Sequence, residues 1–228
     1  MTFFNVIERF AERFRVVVPD HRGHGKSDWI RGRYEIADVA DDVAGVLQAL
    51  DISNAVVLGY SMGGMVAQEL AHRHPSLVDR LVLAATAARP VRADMAFRLA
   101  LVAARAVARI SRKELSAAST TVLRRSSAID AEHEQWMWEA LMRRDPNLYY
   151  EAGSAVRRFD SRQWIDSLDT PTMVIINAHD QIVPPPVQYE LASFFTDGDI
   201  VEIVGARHES VMNRANEYVK AVVDFVDR

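Results

Sequence analysis

The stretch Ala55-Val56-Val57-Leu58-Gly59-Tyr60-Ser61-Met62-Gly63-Gly64-Met65-Val66 decides how this chain reads. Four apolar residues run into a Gly-x-Ser-x-Gly pentapeptide, after which Met65, Val66, Leu70 and Ala71 recur at helical spacing. A strand that turns directly into a helix through this pentapeptide holds its serine in a strained backbone conformation. Gly59 and Gly63 are expected to be glycine because a side chain would clash at the pinched turn. Ser61 then projects its hydroxyl at the C-terminal edge of a sheet, over the positive end of a helix dipole. A glycine-rich turn with an incidental serine would show the same five residues. The strand before them and the helix after them favour a nucleophile.

Outward from this turn the apolar pattern alternates between two periods. Phe3, Val6, Ile7, Phe10 and Phe14 recur at helical spacing, and Arg15-Val16-Val17-Val18 reads as a short buried strand. Ile36, Val39, Val43, Val46, Leu47 and Leu50 line one helical face before Ala55–Leu58. Leu81-Val82-Leu83-Ala84, Thr172-Met173-Val174-Ile175-Ile176 and Ile200-Val201-Glu202-Ile203-Val204 predict further strands. Tyr218, Val219, Val222, Val223 and Val226 predict a closing helix. Continuous apolar strands separated by amphipathic helices predict an α/β fold with a mostly parallel sheet covered on both faces.

Residues 89–162 break the alternation. They hold 13 Arg and 1 Lys against 9 acidic residues, a net charge of +5, and show helical periodicity with no strand. Asp145-Pro146-Asn147 separates two of the predicted helices. The expected organisation is therefore a core of 1–88 and 163–228 with 89–162 as a helical cap. Phe97, Trp136, Trp138 and Trp164 are candidates for an apolar pocket, although aromatic residues at helical spacing also serve plain packing. The arginines fit solvated helix faces better than they fit an anionic substrate.

Composition removes several function classes. The 228 residues contain no cysteine, which excludes disulfides, zinc ribbons, redox pairs and a thiol nucleophile. A formal net charge of -4 argues against nucleic acid as a partner. No apolar run approaches the roughly 18 residues needed to span a membrane. The first residues offer no secretory apolar core, so a cytoplasmic location is expected.

A serine hydroxyl needs a base, and the base needs an orienting acid. His208, in Gly205-Ala206-Arg207-His208, follows the strand Ile200–Val204, and Asp180, in Asn177-Ala178-His179-Asp180, follows Thr172–Ile176. Each comes just past a strand's C-terminus, which puts both at the same sheet edge as Ser61. Their chain order, Ser then Asp then His, is the one this elbow requires. His72 and His74 precede Pro75 at a helix end and lack a third metal ligand, so no metal site is read there. Asp20-His21-Arg22-Gly23-His24-Gly25-Lys26-Ser27 ends like a phosphate-binding loop. Its first glycine position is Asp20, and Asp28-Trp29-Ile30-Arg31-Gly32-Arg33 is a poor helix start, so nucleotide chemistry is not expected.

Together these segments resemble the α/β-hydrolase fold superfamily. Pro19–Asp28 is similar to the loop after the family's fourth strand, Gly59–Gly64 to its nucleophile elbow, and Asp180-Gln181-Ile182-Val183-Pro184 with His208 to its acid and base segments. His74-Pro75 and Val78-Asp79-Arg80-Leu81-Val82-Leu83 resemble the intervening helix end and strand. The elbow with Met62 looks like that of carboxylesterases and enol-lactonases. The resemblance implies a serine hydrolase acting on a small ester or lactone through an acyl-enzyme. Ser61, Asp180 and His208 would be catalytic, the Met62 N–H would serve as oxyanion donor, and no metal or organic cofactor is required. A non-catalytic binding homologue and an acyltransferase on the same residues are the competing classes. Relative to the family, the chain begins at the helix of Phe3–Phe14, without the first three strands and the His-Gly loop. The absence of that loop's oxyanion amide is expected to cost about 10²–10³ in turnover. The gap left beside Arg15–Val18 offers a surface for self-association.

Overall fold

The computed structural model describes residues 2–28, 34–91, 95–143 and 145–228. In chain order the elements begin with α1 (Phe4–Ala11), α2 (Ile36–Ala49), β1 (Ala55–Tyr60), α3 (Met62–Arg73) and β2 (Val78–Ala84). Four helices follow: α4 (Met95–Ile110), α5 (Arg112–Arg125), α6 (Ala131–Met142) and α7 (Pro146–Arg158). The chain then forms β3 (Thr172–Asn177), α8 (Pro185–Ala192), β4 (Asp199–Ile203), α9 (Ser210–Asn213) and α10 (Ala215–Val226). The break expected at Asp145-Pro146 falls between α6 and α7.

The four strands form one parallel sheet in the order β1-β2-β3-β4. Parallel neighbours cannot be joined by a hairpin, so helices make the crossovers: α3 from β1 to β2, α4–α7 from β2 to β3, and α8 from β3 to β4. Successive residues of a strand face opposite sides, and all six residues of β3 are buried, so the sheet is covered on both faces there. The apolar run Thr172–Ile176 that predicts this strand is the pattern such burial demands. Helix α3 packs on β1 and β2, α2 on α3, and α8 on β3. Leu81, Val82, Leu83, Ile175, Ile176 and Leu70 are almost wholly removed from water.

Arg15–Val18 departs from expectation. It forms no strand, and Val18 is 43% exposed. Valine's preference for strands reflects packing on a pleated, half-buried surface. Without a neighbouring strand to bond, the three valines adopt no ladder. Among the described residues β1 has β2 as its sheet neighbour and does not recruit this segment.

The described residues gather into two compact units. The first draws on Met1–Arg33, Asp94–Ser154 and Glu209–Val219. Val6, Met137, Leu148 and Val211 are buried within it, and Asn5 Nδ2 donates to the Met212 carbonyl at 2.6 Å. Phe4 packs on His133 and Trp136, while Trp138 lines a shallow groove between α5 and α6 with Thr120 and Glu134. Asp130 caps α6 by accepting the His133 N–H at 3.0 Å. The Gly-Lys-Ser segment is explained here as a turn closed on Asp20. Gly25 has φ +55°, and a Cβ there would lie 2.2 Å from the Asp20 carboxyl carbon. The Lys26 N–H and the Ser27 hydroxyl both donate to Asp20, at 3.0 and 2.6 Å. The side chain of Phe97, and residues 29–33 and 92–94, lie outside the described residues.

The second unit draws on Tyr34–Ala93, Ala155–His208 and Lys220–Arg228 and contains the sheet. Its α3 is fastened at its C-terminal end and in its middle. At the C-terminal end Arg73 donates twice to Asp41 of α2, at 3.0 and 2.8 Å, and His74 Nε2 lies 2.7 Å from the same carboxylate. The Arg73 bonds, reinforced by His74, lower the Asp41 pKa to about 2. In the middle of α3, buried Gln68 donates to the Ala87 carbonyl at 3.2 Å and accepts the Ser161 hydroxyl at 2.7 Å. His72 stacks on Trp164 at 4.2 Å.

Asp41 has a lower pKa folded than its ordinary 3.8, so its contribution is present above that value and lost as pH falls towards about 2. Asp41→Asn should therefore lower stability at neutral pH by about 0.2–1 kcal/mol, since the pair is solvent-screened. It should also flatten the acid limb of a urea-denaturation series below about pH 4.

Candidate active site

Ser61 sits between the last residue of β1 and the first of α3 with φ 53° and ψ -123°. A residue other than glycine reaches positive φ only under constraint. Here the constraint is two hydrogen bonds, from the Ser61 N–H to the Ala84 carbonyl of β2 at 3.0 Å and from the Gly64 N–H to the Ser61 carbonyl at 2.9 Å. The steric part is carried by glycines. A Cβ on Gly59 would lie 2.6 Å from the Gly63 carbonyl oxygen and from the Ala67 Cβ. The reading of Gly63 as a second clashing position needs correction, because a Cβ there would meet nothing within 4 Å. The close approach falls one residue later: a Cβ on Gly64 would lie 2.5 Å from the Thr86 side chain. Helix α3 can pack on the chain leaving β2 only because position 64 carries no side chain.

Asp180 and His208 come from the loops that leave β3 and β4, in the same unit as Ser61. In a parallel sheet these strand ends share one edge, so three residues distant in sequence meet. His208 Nε2 lies 2.9 Å from Ser61 Oγ, and His208 Nδ1 lies 2.7 Å from Asp180 Oδ2. The Asp180 side chain is fully buried and that of His208 is 18% exposed. Asp180 Oδ1 accepts the backbone N–H groups of Ile182 and Val183 at 2.8 and 2.9 Å, leaving Oδ2 to the imidazole. With Nδ1–H donated to the carboxylate, Nε2 offers its lone pair to the serine hydroxyl. Tyr60, itself buried, flanks the imidazole with ring centroids 5.8 Å apart. Met62 is the first residue of α3, so its N–H belongs to the unsatisfied turn at the positive end of the helix dipole. A hydroxyl beside an imidazole that is itself held by a buried carboxylate can lose its proton as it attacks an electrophile.

The loops are joined to each other as well as to the sheet. The His179 N–H donates to the Ala206 carbonyl at 2.8 Å, and Asn177 Nδ2 donates to the Arg207 carbonyl at 3.0 Å. Gln188 of α8 accepts the Asn177 N–H at 2.9 Å and donates to the Val183 carbonyl at 2.6 Å. Farther out, Arg89 makes two 2.8 Å bonds to Glu190 of α8. The Arg89 guanidinium holds the Glu190 carboxyl below the usual range. Asn177, Gln188 and the Arg89–Glu190 pair escape sequence reading, since each is a single polar residue whose partner is set by the fold. Among the described residues no group of three or more His, Asp or Glu side chains is placed to hold a metal ion.

An uncharacterized protein of Mycobacterium tuberculosis is 39% identical over 99 residues, which is 43% of this chain and 29% of that protein. The chain thus matches less than a third of that relative's length. A pimeloyl-(acyl-carrier protein) methyl ester esterase of Neisseria meningitidis serogroup B is 28% identical over 232 residues, covering 99% of this chain and 87% of the relative. The crystal structure of an enol-lactonase from Burkholderia xenovorans superposes with a TM-score of 0.85 at 27% identity, over 100% of this chain and 86% of that one. The family described as alpha/beta hydrolase fold matches residues 2–215, and the chain belongs to that family.

Proposed function

We propose that the protein is a serine hydrolase that cleaves a small carboxylic ester or lactone through an acyl-enzyme on Ser61. The observation that carries this reading is the unbroken line Asp180–His208–Ser61, at 2.7 and 2.9 Å, ending on a serine held at φ 53°. The likeness to an esterase and an enol-lactonase by name supports the substrate class.

In this mechanism Ser61 Oγ attacks the carbonyl carbon while His208 Nε2 takes the hydroxyl proton. The positive charge that forms on the imidazole is stabilised by Asp180, whose Oδ2 also fixes the tautomer. Negative charge on the former carbonyl oxygen is met by the Met62 N–H and the α3 dipole. His208 returns the proton to the leaving oxygen, leaving an ester between Ser61 and the acyl group. Water activated by His208 then attacks that ester and frees Ser61. The elbow makes both steps accessible, since an unstrained helical serine would lie along the helix surface. No helix among the described residues is long and apolar enough to cross a membrane.

A fluorophosphonate probe should label the wild-type protein and fail on Ser61→Ala. Retained labelling of a folded Ser61→Ala would refute the assignment. With a p-nitrophenyl ester, Asp180→Asn should lower kcat by about 10⁴-fold through loss of the tautomer, with the fold intact by circular dichroism.

The glycine assignment has its own check. Gly64→Ala should cost about 1–3 kcal/mol in urea denaturation by overpacking against Thr86. Gly63→Ala should be neutral or stabilising by up to about 1 kcal/mol, because its Cβ enters open space within a helix.

A further inference from the structure

We propose that Gln188 is a positioning residue for the Ser61 reaction, holding the loop that presents the Asp180 carboxylate to His208. The proposal rests on the serine hydrolase reading above. Gln188 lies on α8, is fully buried, and makes its hydrogen bonds to backbone groups and to none of the three reacting side chains. Its amide is used in both senses. Oε1 accepts the Asn177 N–H at 2.9 Å, and Nε2 donates to the Val183 carbonyl at 2.6 Å and, more weakly, to the Asn177 carbonyl at 3.5 Å. Carbonyl oxygens only accept, so these partners fix which end of the amide is which.

The two residues that Gln188 grips bracket the acid loop. Asn177 ends β3, and its own side chain reaches the Arg207 carbonyl, one residue before His208. Val183 supplies one of the two N–H groups that occupy Asp180 Oδ1. Gln188 therefore spans the mouth of the loop 177–183 and pins the residue whose amide orients the carboxylate. An apolar side chain of similar size would fill the space but leave the bonds to the Asn177 N–H and the Val183 carbonyl unmade. The loop would relax towards solvent to recover those bonds, drawing the Ile182 and Val183 amides away from Oδ1. Asp180 would then lose the geometry that leaves Oδ2 facing the imidazole. Nothing in this chain of contacts involves the substrate, so the loss should appear in kcat and not in KM.

The test compares wild-type protein with Gln188→Leu and Gln188→Glu, using p-nitrophenyl ester kinetics and the downfield proton NMR resonance of His208 Nδ1–H. Both variants should lower kcat by about 10- to 100-fold, the effect of a small misplacement of a reacting group, with KM within about twofold. The Nδ1 resonance should shift or broaden in both. Gln188→Glu has the shape of glutamine and keeps the acceptor for Asn177 while losing the donor to Val183, so it carries the test should Gln188→Leu not fold. Folded variants with wild-type kcat and an unchanged Nδ1 resonance, whatever their melting temperature, would overturn the proposal. Ser61→Ala is measured alongside. If it hydrolyses the ester as fast as wild type, the serine hydrolase reading fails, whereas the Nδ1 resonance needs no turnover and still decides whether Gln188 positions the acid loop.

Discussion

The turn at Ser61 is the constraint on which the rest of the sheet-bearing unit depends. A non-glycine residue at φ 53° carries a backbone cost of about 1–3 kcal/mol, and it persists only if its surroundings leave no alternative. Those surroundings are specific. Ser61 is bonded to Ala84 of the neighbouring strand, and α3 lies against β1 and β2 because positions 59 and 64 have no side chains to hold it off. Gln68 then ties the same helix to Ala87 and Ser161, and Arg73 ties its far end to Asp41. The strain at one residue is thus offset along twelve residues of helix, and the hydroxyl stands clear of the helix it begins.

A parallel sheet supplies the remaining geometry at little extra cost. Strand ends that run the same way deliver their loops to the same edge, so Asp180 and His208 need only short excursions from β3 and β4 to reach Ser61. Short loops alone do not fix side chains within hydrogen-bond tolerance. Here the fixing comes from backbone donors on the carboxylate and from the Asn177 side-chain amide, which bridges the two loops. Asp180 illustrates the division of labour: one oxygen is saturated by the loop, which leaves the other with a single partner.

Much of this was legible in the sequence where a signal is local. The apolar runs Ala55–Leu58, Leu81–Ala84 and Thr172–Ile176 each fall within an observed strand, and Ser61, Asp180 and His208 are drawn together from motifs at strand ends. Reasoning fails where a residue's role is decided by what arrives from elsewhere. Arg15–Val18 has strand-like composition but no neighbour to bond, so it forms none. Gly63 and Gly64 are adjacent and look equivalent in the sequence, and only Thr86, which packs from β2's exit, distinguishes them. Gln188 resembles any polar helix residue until burial reveals that both ends of its amide are in use. Local pattern encodes period and turn chemistry, whereas tertiary hydrogen-bond partners leave no mark on their immediate neighbours.

The stack of His72 on Trp164 has a practical consequence. The chain has four tryptophans, and Trp164 is the one that falls within the unit carrying the sheet. With the other three replaced by phenylalanine, indole fluorescence would come from a ring in face-to-face contact with an imidazole of the helix that follows Ser61. The protein thereby carries a built-in optical reporter for one half of its architecture, readable without attaching any dye.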